Sequence, residues 1–180
     1  MKLMIASDIH GSAYYNDVML ERFREEKPDK LLLLGDILYH GPRNDLPKDY
    51  APKKVLAALN EIKDYIMCVR GNCDGEVDQM VLEFPIMADY IYLNIDGLEI
   101  YASHGHIYNQ NKTLPGMKGF FLCGHTHVPL IEKHEDFVYL NPGSVAIPKD
   151  GSRHSYMMFD GREFVFKDLE NKEVYMTCEV

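Results

Sequence analysis

Basic residues are scarce: 19 Lys and Arg stand against 28 Asp and Glu, a formal net charge of −9. Such a surface works against long-range attraction to a nucleic-acid backbone or an anionic membrane. No basic patch interrupts it, so no nucleic-acid polymer is expected as a partner. A small anionic substrate stays open, because a bound cation reverses the local field. No apolar run approaches the roughly 20 residues that cross a bilayer, and no membrane association is expected. The opening run MKLMIASD reaches a carboxylate at Asp8, too early for a signal peptide. The four cysteines, Cys68, Cys73, Cys123 and Cys178, include no pair at C-x-x-C spacing, which removes the common redox and zinc motifs. Cys68 and Cys123 lie in apolar runs and read as small core residues. Nothing suggests a secreted disulfide framework, so the expected location is cytoplasmic. No repeat, low-complexity segment or linker divides the 180 residues, a length that suits one domain over 1–180.

What is present is an ordered alternation. KLMIAS reads as a short buried strand. Tyr15, Val18, Met19, Arg22 and Phe23 follow at helical spacing. KLLLLGD is a second buried strand, and a polar, proline-marked loop comes after it. Val55, Leu59, Ile62 and Ile66 then form a helix face, with Pro52 suited to its first turn. IMCVR is a third strand. This β-α-β-α-β order favours a parallel sheet covered by helices. After residue 85 the pattern changes to short strands and turns, with a hairpin expected at Asp96-Gly97. The later strands predict a second, antiparallel or mixed sheet. The expected fold class is α/β, a two-layer mixed β-sandwich flanked by helices.

Polar residues that bind metals recur where strands should end. SDIH supplies Asp8 and His10, LGDI supplies Asp36, and GNCD supplies Asn72. SHGH supplies His104 and His106, and CGHTH supplies His125 and His127. Residues i and i+2 of a strand point the same way, so Asp8 with His10, and His125 with His127, are expected to converge. Each cluster alone has an ordinary reading as a turn. Together, beyond strand carboxyl ends, they predict one shared site. Carboxylate, amide oxygen and imidazole suit first-row divalent ions. Six or seven such side chains as ligands are too many for one tetrahedral ion and suit two, about 3.5–4 Å apart, sharing a carboxylate.

D-x-H, G-D, G-N, H-G and G-H-x-H occur here in that order, as SDIH, LGDIL, RGNCD, SHGH and CGHTHVP, with NPGSV beyond. This set resembles the calcineurin-like binuclear metallophosphoesterases. LGDILYHGPRN, Cys73 within GNCD and the short chain resemble their small YfcE-type phosphodiesterases. The resemblance implies a four-layer α/β/β/α fold. It implies one metal held by Asp8, His10, Asp36 and His127 and a second held by Asp36, Asn72, His104 and His125, with Asp36 bridging. Mn²⁺ is the first expectation, with Zn²⁺, Fe²⁺, Co²⁺ or Ni²⁺ as alternatives. The implied activity is phosphodiester hydrolysis by a hydroxide that the two metals activate, on a small phosphoester substrate. A phosphomonoesterase on the same site and a protein-binding scaffold, like the retromer component of this fold, are the rival readings. A homo-oligomer is also implied as possible.

The catalytic assignments on GNCD are Asn72, Cys73 and Asp74. Asn72 is expected to hydrogen-bond the phosphoryl group, and Asp74 to orient its neighbours as an acceptor. Many relatives carry a histidine where Cys73 stands. A thiol beside two cations is expected to ionise and to be a poor proton donor; it can otherwise serve as an extra ligand, an oxidation-sensitive spot or filler. His106 is expected beside the ligands rather than among them. His40 and Arg43 read equally as substrate contacts or a solvated loop face. His134 and His154 are expected to be structural or superficial, and residues 109–119 to be a lip of the site or a tight connection, without a long helix.

Overall fold

The computed structural model describes residues 1–180. Three short strands, β1 (Leu3–Ala6), β2 (Lys30–Leu33) and β3 (Ile66–Cys68), pair in parallel, in the order expected. Helix α1 (Ala13–Glu26) connects the first two, its N-terminus capped by the Ser12 hydroxyl accepting from the Tyr15 N–H. That bond satisfies one of the amide groups a helix start leaves open. Helix α2 (Pro52–Asn60) returns the chain toward β3. The expected helix face ran on to Ile66, but α2 stops at Asn60 and a 3₁₀ turn over Lys63–Tyr65 hands Ile66 to β3. Ile66 belongs to the strand, where it pairs with Leu31 and is buried.

Beyond β3 come a single turn of helix, α3 (Glu76–Gln79), and eight strands. The first are β4 (Tyr90–Ile95) and β5 (Leu98–Ser103), joined at Asp96-Gly97. Both turn residues have positive φ, 52° and 91°, the twist that a two-residue hairpin needs. Then follow β6 (Gly119–Leu122), β7 (Pro129–Lys133) and β8 (Phe137–Pro142). The last are β9 (Ser155–Phe159), β10 (Glu163–Asp168) and β11 (Val174–Glu179). β7 was not foreseen: PLIEK has a proline and two charges, which an edge strand tolerates.

The later strands do not all form the second sheet. β9, β10 and β11 join the first, giving the order β11-β10-β9-β1-β2-β3, while the second runs β4-β5-β6-β8-β7. Both sheets are mixed: in the first, β9, β10 and β11 add in antiparallel fashion beside β1, and in the second, β5, β6 and β8 are parallel while β4 and β7 are antiparallel to their neighbours. Leu3, Ile5, Phe159 and Phe164 from one sheet meet Ile100, Phe120, Leu122 and Leu140 from the other in the inner core. The opposite faces of β1 and β2, through Met4, Leu31 and Leu33, pack on the helices. Outside the second sheet the covering layer is a loop instead of a helix: Leu114 and Met117 lie on Phe121, Cys123 and Tyr139. Pro115-Gly116 keeps that segment from helix. The effect of this layering is to bring the carboxyl ends of β1, β2, β3, β5 and β6 to one end of the sandwich.

Candidate metal centre

Strand β1 ends at Ala6, so Asp8 and His10 are not in a strand. Asp8, His10, Asp36, His125 and His127 all take left-handed backbone, with φ of 60°, 48°, 56°, 69° and 63°. Convergence therefore comes from turned backbone and not from the strand alternation expected. Each such residue costs about 1–2 kcal/mol relative to ordinary backbone. Strain of this kind persists only where surrounding contacts impose it. Here the loop after β1 lies along the loop after β2: His10 N donates to Asp36 O at 2.9 Å and Gly11 N to Ile37 O at 2.8 Å.

Asp74 supplies much of that constraint. Its carboxylate accepts from Asp36 N at 2.8 Å, Ile37 N at 2.9 Å and Gly71 N at 2.7 Å. Burial pushes its carboxyl up against the pull of these donors. Gly71 must be glycine for room, since a Cβ would run into the carboxylate and amide of Asp36. The structure thus places Asp74 behind the site, holding the Asp36 turn.

The donor atoms fall into two groups that meet at Asp36. In the first, Asp8 Oδ1 lies 3.6 Å from His10 Nε2 and 3.3 Å from His127 Nε2. His10 Nε2 is 3.4 Å from His127 Nε2 and 3.6 Å from Asp36 Oδ2. In the second, His104 Nε2 is 3.5 Å from Asp36 Oδ2, 3.0 Å from Asn72 Oδ1 and 3.2 Å from His125 Nδ1. Ligands about 2.1 Å from a common cation, at 90–109° to one another, lie about 3.0–3.4 Å apart.

The far nitrogens of three rings are engaged. His10 Nδ1 contacts Tyr39 O at 2.8 Å, His104 Nδ1 contacts Leu34 O at 2.6 Å and His127 Nδ1 contacts Ile147 O at 2.7 Å. A carbonyl only accepts, so these contacts hold an N–H on Nδ1, and in the neutral ring, the form that binds a cation, Nε2 carries the lone pair. Asp8 Oδ1 is buried without a hydrogen-bond partner. A buried carboxylate oxygen facing imidazole lone pairs is costly unless a cation satisfies them all. The residues fit two divalent ions.

Charge within the cluster follows. Burial opposes ionisation of Asp8, but His10 and His127, when their rings carry a proton toward it, hold its carboxyl well below the usual range. Burial also opposes a charge on His104, yet Asp36 raises it to about 9. A proton and a cation therefore compete for His104 Nε2. Burial and the neighbouring His104 lower His125. Cys73 lies beside these groups: its N–H donates to Asp36 Oδ1 at 2.8 Å and its Sγ accepts from Asn72 Nδ2 at 3.3 Å. Burial and the Asp36 carboxylate push its thiol up to about 12. The protein's own field thus opposes the ionisation expected from the sequence, and only cations can reverse it.

The remaining candidates separate cleanly. His106 stands beside His104 and His125, with ring centroids 5.3 and 6.3 Å away, and outside both donor groups. It lines a neighbouring cavity with Asn109, Gln110 and Asn111, whereas no residue of 109–119 lines the pocket over the centre, and Leu114 and Met117 pack on the second sheet. His40 stacks edge-on against Tyr39 and Tyr50. His154 stacks on Tyr15 and His134 on Phe137, both away from the centre. Arg43 does line the pocket over the centre. Lys149 lines it too, and sequence reading missed it; the only signal was a lone cation in NPGSVAIPKDG.

A family model described as the calcineurin-like phosphoesterase superfamily domain matches residues 1–163. The chain belongs to the calcineurin-like phosphoesterase superfamily. Within this family it is 45% identical over 161 residues to phosphodiesterase YfcE of Escherichia coli K12, covering 89% of this chain and 88% of that protein. It is 25% identical to a phosphodiesterase of Methanocaldococcus jannaschii over 151 residues, 79% of this chain and 83% of that one. The solved structure of E. coli YfcE matches with a TM-score of 0.96 at 41% identity, covering 100% of both chains. Vacuolar protein sorting 29 from Cryptosporidium parvum shares the fold, with a TM-score of 0.65 at 17% identity over 99% of this chain and 97% of that one.

Proposed function

We propose that this chain is a metal-dependent phosphodiesterase, hydrolysing small phosphodiesters by attack of water at a two-metal centre. The observation that carries the reading is the pair of donor groups meeting at the Asp36 carboxylate. Asp8, His10, Asp36 and His127 would hold one ion, and Asp36, Asn72, His104 and His125 the other. Mn²⁺ is the first choice for this oxygen and nitrogen set, with Zn²⁺, Fe²⁺, Co²⁺ and Ni²⁺ also compatible. When bound, two such ions supply Lewis acidity and make hydroxide accessible near neutral pH.

The chain's own residues do the positioning. Asn72 is oriented by its amide contact to Cys73 Sγ, which turns its oxygen toward His104 and leaves it beside the phosphoryl site. Asp74 keeps Asp36 and Gly71 in register. The thiol of Cys73 is no source of a readily shared proton, so the leaving group departs without a strong general acid. Esters with good leaving groups are the favoured substrates. The complete donor set supports catalysis over a scaffold role.

One domain over 1–180, in the cytoplasm, is the accompanying reading; four free cysteines support a reducing compartment. The charge of −9 supports a small substrate over a nucleic-acid polymer. Exposed Val77 and Met80, at 75% and 83%, supply apolar surface that a homo-oligomer can bury. The test is metal analysis with turnover of bis(4-nitrophenyl) phosphate, for the protein and for Asp36→Asn. The expected result is two metals with turnover, both lost in the variant. Full activity with both metals in Asp36→Asn refutes the assignment.

A further inference from the structure

Two fixed positive charges rim the pocket over the donor groups. Arg43 and Lys149 line a cavity of about 320 Å³ together with His10, Asn72, Cys73 and His127, and they are its only lysine or arginine. Acids outnumber bases 28 to 19 in the chain. Yet neither side chain is among the cations that the fold pairs with a carboxylate.

The two are tied to opposite sides of the centre. Arg43 sits in a turn closed by Asn44 Nδ2 donating to His40 O at 2.8 Å. That turn rests on the Cys73 side, where a Cβ on Gly41 would lie 3.3 Å from Cys73 Sγ. Lys149 is anchored to the His127 side: its N–H donates to His127 O at 3.3 Å. Ser152 Oγ is shared by Lys149 O at 2.6 Å and His127 O at 3.3 Å. Both side chains are exposed and reach toward one opening.

A phosphodiester carries one negative charge at the reacting group, and two divalent ions held with the Asp8 and Asp36 carboxylates would still leave enough positive charge to neutralise it. Two more cations exceed what that group requires. We propose that Arg43 and Lys149 clamp a second phosphate, carried on the non-reacting arm, so that the preferred substrates are phosphodiesters bearing an additional phosphate. Arg43 supplies the planar fork that grips phosphate oxygens, and Lys149 a mobile point charge. An aryl diester with neutral arms leaves both unused. The inference rests on the phosphodiesterase reading and names its substrate class.

A matched pair tests it: the 4-nitrophenyl ester of thymidine 5′-phosphate and the same ester carrying a 3′-phosphate. With Mn²⁺-loaded protein, kcat/KM is expected to favour the 3′-phosphorylated ester by about tenfold at low salt. The preference should shrink at about 0.5 M salt, as exposed charges are screened. Arg43→Gln and Lys149→Gln should each cut the ratio severalfold, and the double variant should bring it near one. Calorimetric Kd values for thymidine 3′,5′-bisphosphate against thymidine 5′-monophosphate should show the same ratios. A wild-type ratio near one overturns the proposal. So do variants that slow both esters equally, because the cations would then serve the reacting phosphate. If neither ester nor bis(4-nitrophenyl) phosphate turns over, the phosphodiesterase reading fails, and the calorimetric ratio alone decides the clamp.

Discussion

Removing the Asp74 carboxylate should loosen the metal centre from behind, although Asp74 belongs to neither donor group. Its two oxygens accept three backbone N–H groups, those of Asp36, Ile37 and Gly71. The residue is 8% exposed, so water replaces it poorly. A buried donor left unpaired costs about 1–3 kcal/mol. Asp74→Ala therefore costs about 3–6 kcal/mol, allowing for partial entry of water. Asp74→Asn keeps one acceptor oxygen and turns an NH₂ toward the remaining donor, for a loss of about 2 kcal/mol. In a chain of this size each kcal/mol lowers Tm by roughly 2–4 °C, giving about 4–8 °C for Asp74→Asn and more for Asp74→Ala. The assay is thermal unfolding by calorimetry or circular dichroism, with and without Mn²⁺. The stabilisation that Mn²⁺ adds should also shrink, because the Asp36 turn no longer holds its position. An Asp74→Ala protein with unchanged Tm and unchanged metal content would refute the reasoning.

Gly71→Ala drives a methyl group into Asp36; metal stoichiometry measured by mass spectrometry should fall below two while far-ultraviolet dichroism stays native. His104 is raised to about 9 by Asp36 against its burial, so the metal-free chain holds that proton at pH 7. Metal uptake should then release it, and Mn²⁺ affinity should rise with pH up to about 9; a titration in weak buffer without proton release would contradict this. A raised imidazole stabilises the metal-free fold below its unfolded value near 6.5, and that contribution fades as pH climbs through about 9. Cys73→His should accelerate hydrolysis of alkyl esters more than aryl ones, since an imidazole can protonate a poor leaving group. Equal acceleration of both classes would show that the histidine does something else.

The donor residues were legible because their types and order survive in one dimension. Asp8, His10, Asp36, Asn72, His104, His125 and His127 all reach the two groups expected. The reason offered for their convergence was incorrect. Strand alternation does not present Asp8 with His10, or His125 with His127; left-handed backbone does. Side-chain periodicity carries no sign of φ, and Asp and His, though enriched at positive φ among non-glycine residues, signal it more weakly than a glycine does. The strands of the second half were mostly legible too, but not their sheet. Ser155–Phe159 is as apolar as a strand of either layer, and only pairing of Leu3 with Phe159 assigns it to the first.

By itself, the sequence determined which residue types cluster at the strand ends, the parallel start of the fold and the superfamily, because these depend on residue identity and local spacing. Tertiary structure alone decided how the strands divide between sheets, that Asp74 serves three backbone amides, and that Arg43 and Lys149 share one opening. Lys149 is separated from Arg43 by more than half the chain, and nothing local relates them. Long-range backbone hydrogen bonds and the burial of both sheet faces set that distance, and neither is written in any single stretch of residues.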